Sequence, residues 1–167
     1  VDILQPGPGV GGHCIAVDPW FLVHSAPKNT KLIKQARLVN DSKPIFVLEQ
    51  IRKKIISLDE NTKDLSIVLL GLAFKPNIDD LRESPAVQIA LEINRMEFKY
   101  IYIVEPNIEI LPDNLDQNKC KLVGLETGIR KSEIVVLMVD HSEFYAFDTS
   151  QLKDKVVIDL KGIWNNQ

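Results

Sequence analysis

The residues with the most chemical reach lie near the start of the chain. Cys14 follows Gly11-Gly12-His13 and precedes a stretch of helical character. A thiol beside a helix N-terminus holds more thiolate at neutral pH than a free thiol, and the thiolate is the nucleophile. Glycines at 11 and 12 let a ligand or another stretch of backbone approach closely. Asp18 lies four residues on. In continuous helix the two side chains share a face, and the carboxylate can place a water or a proton near the sulfur. Asp18-Pro19-Trp20 equally reads as an N-cap followed by proline at the first helical position. A lone cysteine is also commonly a small buried hydrophobe; spacing alone favours that reading for Cys14 and more firmly for Cys120. His13 is a weak candidate base for Cys14, because sequence neighbours point in different directions, and a substrate-contacting or packing role suits it better. His24 and His141 have no partners at ligand spacing, so no metal site is expected.

A second group of chemistry-bearing residues falls in Gly71–Ser84, where Phe74, Lys75, Asp79, Asp80, Arg82 and Glu83 feed a helix start. Lys and Arg beside a helix N-terminus make an anion site. Gly71-Leu72-Ala73-Phe74-Lys75-Pro76 lacks the second and third glycines of a dinucleotide fingerprint. An ordinary strand-to-helix loop with surface salt bridges is the competing reading.

The elements that must hold these groups can be read from periodicity. Residues 1–13 carry four Gly and two Pro and form a loop. Residues 14–58 are helical in character, and Pro44 should kink or split that helix. The polar run Asp59–Asp64 is a linker or exposed turn. Leu65–Leu70 is an apolar run ending in Gly71, as a strand buried on both faces would be. Ser84-Pro85 supplies an N-cap and first helical residue, with Ala86, Ile89, Ala90 and Ile93 at helical spacing. Tyr100–Val104, Lys121–Val123, Ile134–Val139 and Val156–Leu160 are the further strands, and Gly128–Ser132 fits the end of a helix. Strands alternating with helices predict an α/β fold: a doubly wound, mostly parallel, Rossmann-like sheet, preceded by a helical segment. Ligands then bind beyond the carboxyl ends of the strands, at Gly71–Ser84, Glu105–Asn107, Asp140–Ser142 and Lys161–Gly162.

Composition narrows the function classes. In 167 residues, 20 Lys+Arg against 23 Asp+Glu give a net charge of -3. With no sustained basic run, a nucleic-acid partner is not expected. The apolar runs fall far short of the roughly 20 residues a membrane span needs, so no membrane partner is expected either. Two distant cysteines make neither a disulfide framework nor a zinc ligand set, and a reducing cytoplasm is the default location. The chain opens on Val1 without an initiator Met and is expected to be a piece of a longer protein.

The string Pro6-Gly-Pro-Gly-Val-Gly-Gly-His-Cys-Ile-Ala-Val-Asp-Pro-Trp-Phe21 closely resembles the active-site segment of the nucleotide-sugar 6-dehydrogenases, the UDP-glucose/GDP-mannose dehydrogenase family. Gly71-Leu-Ala-Phe-Lys-Pro-Asn-Ile-Asp-Asp-Leu-Arg-Glu-Ser-Pro85 resembles that family's C-terminal nucleotide-binding domain, and Asn40-Asp41-Ser42-Lys43-Pro44 the helix joining the two. Gly-His-Cys-Ile-Ala-Val-Asp-Pro is most similar to the branch that oxidises UDP-N-acetyl-D-mannosamine, with the UDP-N-acetylglucosamine branch close behind and UDP-glucose a further alternative substrate. The resemblance implies residues 1–58 as the end of a helical central domain and 59–167 as a UDP-binding domain. It implies a two-step, NAD-dependent oxidation of a sugar C6 alcohol to an acid through a thiohemiacetal and a thioester on Cys14, with Asp18 assisting the water and proton steps. Gly11 and Gly12 would lie against the substrate, Phe74 and Lys75 would contact the UDP-sugar, and Arg82 would reach NAD. Where the family usually has Asp-x-Arg, this chain has Asp159-Leu160-Lys161, so Lys161 would keep the substrate-side charge without the guanidinium fork. Homodimerisation through part of Thr30–Ser57 is also implied, for a role in polysaccharide biosynthesis. The family's N-terminal half, which carries the NAD-binding domain and a catalytic Lys and Asn, has no counterpart in these residues. The isolated chain is therefore expected to be inactive, or to serve as a UDP-sugar-binding module.

Overall fold

The computed structural model describes residues 4–164. Its centre is a sheet of five parallel strands: β1 (Ser66–Leu70), β2 (Tyr100–Val104), β3 (Cys120–Leu122), β4 (Ile134–Leu137) and β5 (Val156–Asp159). Their order is β3-β2-β1-β4-β5, so the winding reverses between β1 and β4. All five residues of β1 are buried, Ser66 together with the apolar run Ile67–Leu70, as a central parallel strand requires.

Side-chain alternation assigns the two faces. Ile67, Leu69, Ile101, Ile103, Ile134 and Val136 enter one core cluster with helix α3 (Pro85–Asn94) and the second half of helix α2 (Lys31–Ile56). Val68, Leu70, Tyr102, Val104, Val135 and Leu137 enter the other, with α4 (Leu125–Arg130), α5 (Ser142–Tyr145) and Trp164. Period-two alternation in every long strand thus builds a core on each side, the arrangement of a doubly wound sheet. The β2-to-β3 crossover departs from strict strand–helix alternation. Residues 105–119 cross as turns, anchored by buried Leu111 and Leu115.

Before the sheet come α1 (Asp18–Ser25) and α2, which pack on each other. Pro44 does not split α2, which runs unbroken through it. Proline removes the N–H that would bond the Asn40 carbonyl. Burial of Val47, Leu48, Ile51 and Ile55 against α3 outweighs that loss. No helix among the described residues is long and apolar enough to cross a membrane.

Candidate functional site: a thiol turn against a strand-end cleft

Residues 13–17 form a turn rather than the start of a helix, and α1 begins at Asp18. Val17, not Asp18, occupies the N-cap position, and it makes no side-chain cap bond. The amides of Val17 and Asp18 donate to the Cys14 carbonyl at 3.1 and 2.8 Å, so Asp18 follows Cys14 by one helix-like turn without sharing a helix. Cys14 is exposed, and its thiol lies 3.0 Å from His13 Nδ1. The expectation that these neighbours diverge holds for strands and helices; this tight turn brings them together.

The two glycines ahead of the turn fix its position. A Cβ on Gly11 would stand 2.2 Å from the Glu83 carbonyl oxygen, so only glycine fits there. Gly12 has φ +88°, and a Cβ on it would meet the Phe74 ring at 2.9 Å. What approaches these glycines is therefore the β1–α3 loop, by one carbonyl and one ring. Asn40 of α2 secures the preceding segment: its Oδ1 accepts from Val10 N at 2.7 Å, and its Nδ2 donates to Val10 O at 3.0 Å.

Phe74 is half-buried and also lines a cleft of about 280 Å³ with Lys75, Asp140 and Lys161. The cleft lies beyond the carboxyl ends of β1, β4 and β5, beside the point where the winding reverses and at the N-terminus of α3. That is where open α/β sheets hold ligands, and the helix end adds positive potential. The segment Leu4–Val10 forms its other wall: Gly7 faces the Lys161 side chain and Gly9 faces Pro85. Lys75 Nζ stands 5.7 Å from the Phe74 ring centroid, and Lys75 makes no ion pair among the described residues. Lys161 Nζ is 3.2 Å from Asp140 Oδ1, so its charge is compensated within the cleft. Asp159 holds the Lys161 turn by accepting from the amides of Lys161 and Gly162.

Arg82 is not in this cleft. Its guanidinium grips the Asp80 carboxylate at 2.9, 3.1 and 2.6 Å on the Cys14 side of the loop. Hydrogen bonds from the Arg82 side chain and amide hold Asp80 down at about 2, with a smaller pull from nearby His13. Asp80 raises Arg82 above its usual range, and Cys14 adds to that rise. Thus Cys14, His13, Asp80 and Arg82 form one electrostatic neighbourhood, while Phe74, Lys75 and Lys161 form the cleft. The Phe74 ring is common to both.

Sequence reasoning missed the polar anchor of the β1–α3 loop. Glu105, whose side chain is fully buried, accepts from Leu72 N at 2.7 Å, Ala73 N at 3.0 Å and His141 Nε2 at 3.0 Å. Nδ1 of His141 faces two donors, Asn77 N at 3.0 Å and Asn107 Nδ2 at 3.1 Å, which places its own proton on Nε2, toward Glu105. Burial pushes Glu105 up, but the His141 bond and the Leu72 and Ala73 amides outweigh it and bring it to about 2. Ser84 is spent differently from the expected cap: its hydroxyl donates to Leu72 O at 2.6 Å. Both devices fix the backbone on either side of Gly71–Ser84 and so orient Phe74 and Lys75. Among the described residues no group of His, Cys, Asp and Glu could hold a metal ion.

Comparison with known proteins supplies the family. Residues 68–166 match the family model described as the UDP-glucose/GDP-mannose dehydrogenase family, UDP binding domain, and residues 1–42 match that family's central domain. The chain is 47% identical over 165 residues to an NDP-N-acetyl-D-galactosaminuronic acid dehydrogenase of Ralstonia solanacearum, covering 99% of this chain and 38% of that protein. It is also 47% identical over 168 residues to the UDP-N-acetyl-D-mannosamine dehydrogenase of Salmonella typhi, covering 98% of this chain and 40% of that protein. A solved UDP-D-ManNAc dehydrogenase from Pyrococcus horikoshii superposes with a TM-score of 0.80 at 29% identity, over 100% of this chain and 38% of that one. The chain thus spans about 40% of the length of these relatives. Its glycine-bound thiol turn and its strand-end cleft fall within the two matched segments, and the chain belongs to the UDP-glucose/GDP-mannose dehydrogenase family.

Proposed function

We propose that this chain is the thiol-bearing and UDP-binding part of a nucleotide-sugar 6-dehydrogenase that oxidises UDP-N-acetyl-D-mannosamine to the corresponding uronic acid. The observation that carries the reading is the position of Phe74. Its ring touches the Cys14 turn at Gly12 and lines the cleft that presents Lys75. A UDP-sugar with its diphosphate near Lys75 would extend its sugar past Phe74 toward the sulfur. Lys75 serves the diphosphate as a point charge, and Lys161 serves as a second cation tempered by Asp140. Gly11 and Gly12 keep the turn flat against the loop.

Cys14 adds to the C6 aldehyde as a thiohemiacetal and carries the acyl group as a thioester until water releases the acid; Asp18 assists the water and proton steps. A nicotinamide dinucleotide, when bound, supplies the hydride acceptor. Arg82 is the residue of this chain suited to its phosphates: the guanidinium side chain is 65% exposed, and its Nη1 edge carries no bond among the described residues. Residues 1–58 then close the central domain, residues 59–167 form the UDP-binding domain, and exposed Leu32, Val39, Ile45 and Phe46 of α2 supply a homodimer face. The same reading carries with it a cytoplasmic setting and a role in polysaccharide biosynthesis.

A second reading, a UDP-sugar-binding module without turnover, is favoured by a cleft that presents Lys75 and Lys161 from the described residues alone. Supplying the N-terminal part of a relative in trans or as a fusion separates the two. Production of NADH from UDP-N-acetyl-D-mannosamine that is lost in Cys14→Ala supports the dehydrogenase. UDP binding without NADH production in the fusion supports the module.

A further inference from the structure

We propose that His13 is the proton acceptor for the Cys14 thiol, a catalytic residue of the addition step beyond Cys14 and Asp18. The inference rests on the reading of Cys14 as nucleophile. It begins from the 3.0 Å approach of His13 Nδ1 to Cys14 Sγ, inside hydrogen-bond range for sulfur. Both side chains are exposed, so nothing but the local backbone holds them together. That backbone is over-determined. Gly12 turns at φ +88° against Phe74, Gly11 is wedged on the Glu83 carbonyl, and the Val17 and Asp18 amides close on the Cys14 carbonyl. The backbone that carries both side chains is therefore set by the turn rather than by a free loop.

The step balances within the two side chains and the substrate. With its own proton on Nε2, His13 presents the Nδ1 lone pair to the thiol. The S–H bond breaks, an Nδ1–H bond forms, and the sulfur lone pair attacks the aldehyde carbon. The imidazolium then returns the proton to the former carbonyl oxygen, leaving a thiohemiacetal hydroxyl and a neutral ring. No oxidant is consumed in this addition. The charged side chains that interact with the pair are Asp80 and Arg82 of the β1–α3 loop, while Asp18 and Glu83 approach the turn through their backbone. Arg82 and Asp80 neutralise one another, and Arg82 interacts with Cys14 while Asp80 interacts with His13. The Arg82 charge beside the pair is thus spent on Asp80.

The test is iodoacetamide labelling of Cys14 in this chain and in His13→Asn, at pH 7 and pH 10, with thermal unfolding as the fold control. Asn keeps a polar group near the Nδ1 position but cannot take the proton. The expected result is a labelling rate at pH 7 at least about fivefold slower in His13→Asn, with the two proteins converging at pH 10, where solvent removes the proton unaided. Equal rates at pH 7 overturn the proposal. An equal deficit at both pH values also overturns it, because it marks shielding rather than proton transfer. Failure of the dehydrogenase reading shows separately, as a fused enzyme whose NADH production survives Cys14→Ala.

Discussion

The Phe74 ring lies so close to Gly12 that a Cβ there would stand 2.9 Å from ring carbon Cε2. These residues are far apart in sequence, yet their contact joins the thiol turn to the strand-end cleft. Ring and turn are each constrained elsewhere: the loop through Glu105 and Ser84, the segment before the turn through Asn40. A change at the contact therefore cannot be absorbed by one partner alone.

Gly12→Ala is the corresponding prediction. It adds a methyl group where φ is +88° and where the ring already stands. The cost should be about 1–3 kcal/mol, from combined backbone strain and overpacking. Chemical denaturation of Gly12→Ala against the parent chain measures it, and a change below about 0.5 kcal/mol would show that the contact is slack.

Glu105 should set the acid limit of stability. Its native value of about 2 lies below the ordinary 4.5, so the native state favours the charged form. The resulting stabilisation is complete above about pH 4.5 and is lost as pH falls toward 2. It amounts to about 3 kcal/mol, from one pKa unit being worth about 1.4 kcal/mol. Unfolding midpoints across this range should fall steeply for the parent chain and much less for Glu105→Gln, which starts from lower stability at neutral pH. Parallel pH profiles for the two would place the acid-sensitive group elsewhere.

The two cysteines should differ sharply in reactivity. Cys120 is buried, which pushes its thiol up to about 11, with Asp116 adding to the rise and Lys119 opposing it. Cys14 is exposed beside His13. Mass-spectrometric mapping after brief iodoacetamide treatment at neutral pH should find Cys14 modified and Cys120 intact until urea unfolds the chain. Equal labelling in the native state would mean that the strand bearing Cys120 opens readily.

The sheet was legible because burial on both faces writes a continuous apolar run, as in Ile67–Leu70, and because Ser84-Pro85 marks a helix start. Strand ends shifted by one or two residues, since the last apolar residues of Ile134–Val139 leave the ladder while remaining buried. Gly11 and Gly12 announced a close approach but not its partner, which depends on a tertiary contact with Glu83 and Phe74. The Glu105–His141 pair carried no signal, because two polar residues at different strand ends become neighbours only once β2 and β4 flank β1. Asn40 was hidden in the same way, as a polar residue in a helix whose bonding target lies 30 positions earlier.

The most direct test of the account is calorimetric titration of this chain with UDP, beside Lys75→Ala. Saturable UDP binding at one site per chain is expected, weakened by about 1.5–3 kcal/mol in Lys75→Ala through loss of a charged hydrogen bond. Absence of UDP binding, or identical affinity in the two proteins, would contradict the assignment of the cleft to the diphosphate.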